Sequence, residues 1–141
     1  MLLQICSLLL RHYDTDTIDA WHQFYSKYAV VRSGLTYIQS HYHENITLEH
    51  VAEAMALSPS RTRHLFVEVM GMGVRAYLIH YRVQAAQRLL VQTNMAVEEV
   101  AERCGFQSVS SFYREFRKRV KETPVSYKKR CLGLTGDGPQ S

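Results

Sequence analysis

The chain has 141 residues, 46% of them hydrophobic and 11% aromatic, which is core material for one ordinary domain or two very small ones on a shared linker, and argues against wholesale disorder. The net charge of +4 is unevenly spread: residues 1–33 set three basic groups against three acidic, residues 34–70 two against four, and residues 101–141 nine against four, so the positive field belongs to the C-terminal third. Cys6, Cys104 and Cys131 are widely spaced with no Cys-x-x-Cys, which gives no sign of a disulfide framework or zinc ribbon and fits a reducing cytoplasm.

Met1 to Leu10 is nearly all apolar. It is too short to cross a hydrocarbon core of ~30 Å, and it lacks the basic flank and cleavage site of a signal peptide, so no membrane partner is expected. Leu2, Ile5, Cys6, Leu9 and Leu10 recur at helical spacing and form one stripe that needs a partner. Two partners stay open: the chain's own Trp21 to Tyr28 segment, or a second copy, in a homodimer through residues 1–30. The polar stretch Asp14 to Asp19 reads as a turn with Thr17 as cap, followed by a helix from about Ile18 to Tyr28 and another from Val31 to about Tyr42.

Thr47 is placed to cap a helix that buries Leu48, Val51, Ala52 and Met55. Ser58 then caps the next, with Pro59 at its first position, where the missing N–H does no harm, and Gly71 ends it. Val74 to Val91 contains no glycine or proline and spaces Tyr77, Leu78, Tyr81, Ala85, Leu89 and Leu90 for an amphipathic helix of ~27 Å. For the helix after it, beginning near Val97, only Asn94 offers a cap, although Glu98 and Glu99 suit the positive end of a helix dipole. Ser108 caps one more helix as far as Val120, Thr123-Pro124 ends the pattern, and Tyr127 to Leu132 adds a basic turn before a tail of glycine, proline and polar residues.

Within this series Val51-Ala52-Glu53 returns as Val100-Ala101-Glu102, and each copy is followed by a turn, at Ala56-Leu57 or Gly105-Phe106, a capping serine and a polar helix. Each copy therefore reads as helix, tight turn, helix, with Ala52 or Ala101 where two helices cross closely. An exposed polar second helix in such a unit has one main use, to lie in the major groove of DNA. The central helix then matters through its length, because two such helices on one side of B-DNA stand about one turn apart, ~34 Å.

Ile38, Ile46-Thr47-Leu48, Val51-Ala52, Ser58, Leu65-Phe66, Gly71, Tyr77-Leu78, Arg82, Leu89-Leu90, Val100-Ala101, Gly105-Phe106, Ser111-Phe112, Arg114, Phe116-Arg117-Lys118, Thr123-Pro124 and Tyr127 together resemble the DNA-binding domain of the AraC-type bacterial transcription regulators. The resemblance covers about residues 34–130. It implies an all-α, homeodomain-like fold of two helix-turn-helix units (about 47–70 and 97–120) joined by a linker helix (about 74–92). Residues 1–33 are then an N-terminal helical segment, a remnant of a sensor or dimerisation domain, and residues 131–141 a disordered tail.

The resemblance implies base-facing positions at Ser60, Arg63 and His64 in the first recognition helix, and at Val109, Ser110, Tyr113 and Arg114 in the second. Arg61, Ser108, Arg117, Lys118, Arg119 and Lys121 fall where phosphates run. It further implies double-stranded promoter DNA as partner and activation through RNA polymerase, with no cofactor or metal. The sequence departs from the family pattern at Ala56, which suits the turn if its backbone stays right-handed, at Thr62, where an apolar residue usually packs, at Val67-Glu68 in place of paired basic residues, and at Lys121 in place of glycine. The first three suggest a first unit that binds weakly by itself.

Other function classes find little in the chain. His41, His43 and His50 lack a second ligand pair or an HExxH spacing, and there is no phosphate-binding glycine loop or Gly-x-Ser-x-Gly. Cys104 falls at a core position, unsuited to thiol chemistry. The alternative to a regulator is an effector-sensing or oligomerising helical module in which DNA binding is vestigial.

Overall fold

The computed structural model describes residues 15–134, and every regular element among them is an α-helix: α1 Thr15–His41, α2 Leu48–Met55, α3 Pro59–Met70, α4 Val74–Gln92, α5 Val97–Arg103, α6 Val109–Val120 and α7 Pro124–Cys131. None is long and apolar enough to cross a membrane. The Met1 to Leu10 stripe and residues 135–141 of the expected tail lie outside the described residues.

The N-terminal half differs from the reading of two helices and a capped turn. Thr17 lies inside α1, which runs unbroken for 27 residues, because residues 15–41 hold no proline and their one glycine, Gly34, sits against α2. A Cβ on Gly34 would lie 2.7 Å from the Met55 sulfur and 3.1 Å from Val51 Cγ1. That glycine lets α1 and α2 approach closely, a use that outweighs its helix-weakening entropy. The division between residues 33 and 34 therefore falls within one helix, and Val31, on its N-terminal side, is fully buried.

Two cores follow. In the first, Val31, Leu35 and Ile38 of α1 meet Val51, Met55, Phe66 and Leu78. In the second, Val83, Ala85, Ala86 and Leu90 of α4 meet Val100, Ala101, Cys104, Phe112 and Phe116. The C-terminal half of α4 thus serves the second unit as the C-terminal half of α1 serves the first. Tyr42, just beyond α1, packs against both cores.

The internal repeat extends beyond the two helix pairs. Phe66 meets Tyr77 edge-on at 5.7 Å and 70°, and fifty positions later Phe116 meets Tyr127 at 5.6 Å and 70°. Gly71 and Lys121, also fifty apart, end their helices left-handed at φ 73° and 69°. Each unit is therefore three helices, with the start of α4 or the whole of α7 as the third.

The caps explain where the helices begin. Thr47, Ser58, Ser108 and Thr123 each accept a backbone N–H three residues on, which satisfies one of the donors a helix start leaves open. His50, weighed in sequence only as a metal ligand, closes a capping box by accepting the Thr47 N–H at 3.1 Å. Asn94 caps nothing: α5 starts from Ala96 without a side-chain cap, and Thr93 instead folds back, its hydroxyl donating to the Leu89 carbonyl at 2.6 Å.

Candidate nucleic-acid interface

Both polar second helices are fixed by one apolar face and leave the other exposed. On α3, Thr62 and Phe66 are fully buried; on α6, Phe112 and Phe116 are. Ser60, Arg61, Arg63 and His64 stand on the exposed side of α3, and Ser110, Arg114, Arg117 and Lys118 on that of α6. His64 directs Nδ1 at the Ser60 carbonyl, 2.8 Å away. A carbonyl only accepts, so Nδ1 carries a proton.

An open cleft of about 990 Å³ separates the two units, and Arg63 of α3 and Arg114 of α6 both line it, together with Arg75 and Arg82 of α4 and Gln107 beside the second turn. Among the described residues Arg61, Arg63 and Arg75 make no ion pair. Arg114, its side chain 73% exposed, has only a loose contact with Glu115 at 4.0 Å. Two guanidinium groups from equivalent helices thus border one opening with their donors unspent.

Beyond the cleft, α6 ends in Arg117, Lys118 and Arg119. The side chains of Arg117, Lys118 and Lys121 make no hydrogen bond or ion pair among the described residues, although the Lys121 backbone N–H closes the helix on the Arg117 carbonyl. Arg119 departs from the expected row of free cations: it pairs with Glu115 one turn back and is largely covered, so its charge is already answered within the helix. Arg130 is likewise held by Glu122, with contacts of 2.9 and 2.6 Å to one carboxylate oxygen, and this pairing holds the Glu122 carboxyl below its ordinary pKa. Ser108 spends its hydroxyl on the cap and on Ser111. Val109 sits exposed at the helix start, while Tyr113 leans on the second core, its ring edge-on to Phe112 at 6.1 Å.

Several residues the sequence singled out behave in ways it did not foresee. Ala56 is left-handed, φ 55° and ψ 39°, which corrects the right-handed turn expected of an alanine. The bend needs that conformation, since Ala56 N–H bonds Glu53 and Leu57 N–H bonds Ala52, both at 3.0 Å, and Gly105 and Phe106 repeat both bonds at 3.0 Å. Thr62 fills the place that Phe112 fills in the second unit, and its hydroxyl is buried with no hydrogen-bond partner. Cys104, by contrast, sits in the core as expected, and burial pushes its thiol up to about 11, which keeps it neutral.

Arg82 received no role from sequence, although it lies one turn from Leu78 and one from Ala86 on the buried stripe of α4. Its Nε–H donates to the Tyr42 carbonyl and its Nη2–H to the Glu44 carbonyl, both at 2.7 Å. A charged residue in an apolar stripe is the signal that marks it.

A family model described as a helix-turn-helix domain matches residues 51–130. Among curated relatives, the chain is 38% identical over 93 residues to the uncharacterized HTH-type transcriptional regulator YijO of Escherichia coli, covering 66% of this chain and 33% of that one. It is 29% identical over 100 residues to the xylose operon regulatory protein of Escherichia coli, covering 71% and 25%. The chain thus spans a quarter to a third of the length of these relatives.

Among solved structures, the DNA-binding domain of AdpA, a global transcriptional factor in complex with a target DNA, superposes with a TM-score of 0.68 at 30% identity, over 74% of this chain and 95% of that one. A probable AraC family transcriptional regulator from Rhodopseudomonas palustris superposes with a TM-score of 0.67 at 27% identity, over 73% and 97%.

Proposed function

The chain belongs to the AraC-type family of helix-turn-helix DNA-binding transcription regulators, and from that premise we propose that it reads a bipartite promoter site with α3 and α6 in successive major grooves. The observation that carries this reading is the shared cleft, with Arg63 and Arg114 on its walls. Arg63 with Ser60 and His64 faces one set of bases; Arg114 with Val109, Ser110 and Tyr113 faces the other. Either arginine can give two parallel hydrogen bonds to guanine O6 and N7, while His64, its Nδ1 held by the Ser60 carbonyl, keeps Nε2 for a base edge.

Arg61, the Ser108 backbone N–H, Arg117, Lys118 and Lys121 lie along phosphates, which set register rather than sequence. Arg119 contributes there only if it leaves Glu115. Activation through RNA polymerase is the regulatory outcome we assign.

A duplex selected from a random pool tests the reading. Arg114→Ala is expected to weaken binding to it by ~1 to 3 kcal/mol, and Arg63→Ala to relax preference at one half of the site. Both variants binding the selected duplex as tightly as the parent, while folded, would overturn the docking.

A second copy is the partner we propose for the N-terminal region. Trp21, Phe24, Tyr25 and Tyr28 form an exposed cluster on α1, with Trp21 6.4 Å from Phe24 and 6.3 Å from Tyr25. Several hundred Å² of such surface supports a weak dimer. Sedimentation at tens of micromolar is expected to show a monomer–dimer equilibrium; a clean monomer would contradict it.

A further inference from the structure

Three pieces of chain meet at one point between the two units: the loop that follows α1, the middle of α4, and the turn between α5 and α6. Arg82 supplies the polar part of that meeting through its two 2.7 Å bonds to the Tyr42 and Glu44 carbonyls. Gly105 supplies the space. A Cβ there would lie 2.8 Å from the Tyr42 oxygen, 3.0 Å from the His43 oxygen and 3.1 Å from Arg82 Cζ. The apolar part is the Tyr42 ring, edge-on to Tyr81 at 5.2 Å and in contact with both cores.

Arg82 is costly where it is. Burial lowers its pKa from the ordinary guanidinium value, and among the described residues no carboxylate pairs with it. What answers its charge is the pair of carbonyls, Tyr42 and Glu44, in the loop just past the negative C-terminal end of α1. The planar guanidinium fixes the directions of both donors at once, and hydrogen bonds weaken steeply off axis. Apolar contact has no such direction. The clamp therefore restrains an angle, which the continuous α4 and the two cores do not do alone.

We propose that Arg82 is a positioning residue that fixes the orientation of α6 relative to α3, and through it the spacing of the two groove contacts the protein accepts. The inference rests on the DNA-binding reading above for its consequence, though not for its mechanics. Inserting one base pair between the two contacts moves the second by ~3.4 Å and rotates it by roughly 35°. A clamped pair of units cannot follow such a change, whereas an unclamped pair follows it more easily.

Two measurements test this. The first uses no DNA. Spin labels at Ser60→Cys and Ser110→Cys, in a background with Cys6→Ser and Cys131→Ser, report the distance distribution between the recognition helices. Arg82→Met, which keeps the stem and loses the donors, is expected to widen it about twofold at unchanged helicity; Arg82→Lys, with charge but no planar fork, is expected to fall between and serves if the methionine variant does not fold. An unchanged width in a folded variant overturns the clamp.

The second compares the selected duplex with the same duplex carrying one inserted base pair. Without spin labels, Arg82→Met is expected to reduce the parent's preference for native spacing about tenfold, as rigid linkage of the two contacts is lost, and to leave the salt slope unchanged. A slope lower by ~1 with spacing preference intact would make Arg82 a phosphate contact and refute the positioning role. A parent that selects no sequence defeats the DNA reading, and the spin-label distances still decide the clamp.

Discussion

Ala56 and Gly105 occupy the same bend in the two helix-turn-helix units, closed by the same pair of 3.0 Å backbone bonds, yet one is strained there and the other is not. Further along, Thr62 stands in the first unit where Phe112 stands in the second, and Val67, Glu68 and Val69 stand where Arg117, Lys118 and Arg119 stand. One backbone plan thus carries two different loads. The first unit has a strained turn, an unpartnered buried hydroxyl and no basic end, and its recognition helix is tied to α1 by Lys27 and Glu68 at 2.5 Å. Both side chains of that pair are well exposed, so it adds little stability. The second unit has the aromatic core and the unpaired cations. On the DNA-binding reading proposed above, these differences make the second unit the anchor and leave the first to contribute less affinity.

The largest expected effect separates the two bends. Gly105→Ala forces a side chain onto φ 87° and into the Tyr42 carbonyl, and is expected to cost about 3 kcal/mol. Ala56→Gly relieves the matching strain and is expected to raise stability by ~0.5 to 1 kcal/mol, the relief partly offset by the freer unfolded chain. Urea unfolding of both variants checks the pair; no loss for Gly105→Ala, with no gain for Ala56→Gly, would show the bends to be alike.

The second effect depends on pH and belongs to the second unit. A thiol raised from 9.0 to about 11 on folding contributes stability that is complete below pH 9 and is lost as pH rises through 11, because the unfolded state gives up its proton first. The loss is expected to be roughly 1 to 3 kcal/mol and to shrink in Cys104→Ala, measured as the change in unfolding midpoint between pH 8 and 11. An identical pH profile in the alanine variant would contradict it.

Smallest is the gain expected at Thr62. Thr62→Val removes the buried hydroxyl that nothing satisfies and is expected to stabilise the protein by ~1 kcal/mol. A destabilised variant, with thermal unfolding as the readout, would mean that the hydroxyl is satisfied after all.

The repeat, the capping serines, the linker helix and the crossing alanines were all legible in sequence because each depends on local chemistry at fixed spacing. Thr62 and Lys121 were marked as departures for the same reason. What escaped depends on partners distant in the chain. Gly34 shows its use only with Met55 and Val51 against it, and Arg82, a charge on an apolar stripe, shows its use only with its carbonyls, about forty residues away, in place. The left-handed Ala56 was missed because alanine's preference was weighed without the two bonds that override it. Arg119 was counted among free charges since its pairing with Glu115 depends on side-chain rotamers that spacing permits but does not dictate.

The measurement that bears most directly on the unequal division is the salt dependence of binding, with Lys118→Gln set beside Glu68→Gln at the equivalent position of the first unit. Lys118→Gln is expected to lower the slope of log Kobs against log salt by ~1 on both the selected duplex and a random one, while Glu68→Gln leaves the slope unchanged. An unchanged slope for Lys118→Gln, or a loss of affinity confined to one sequence, would contradict it.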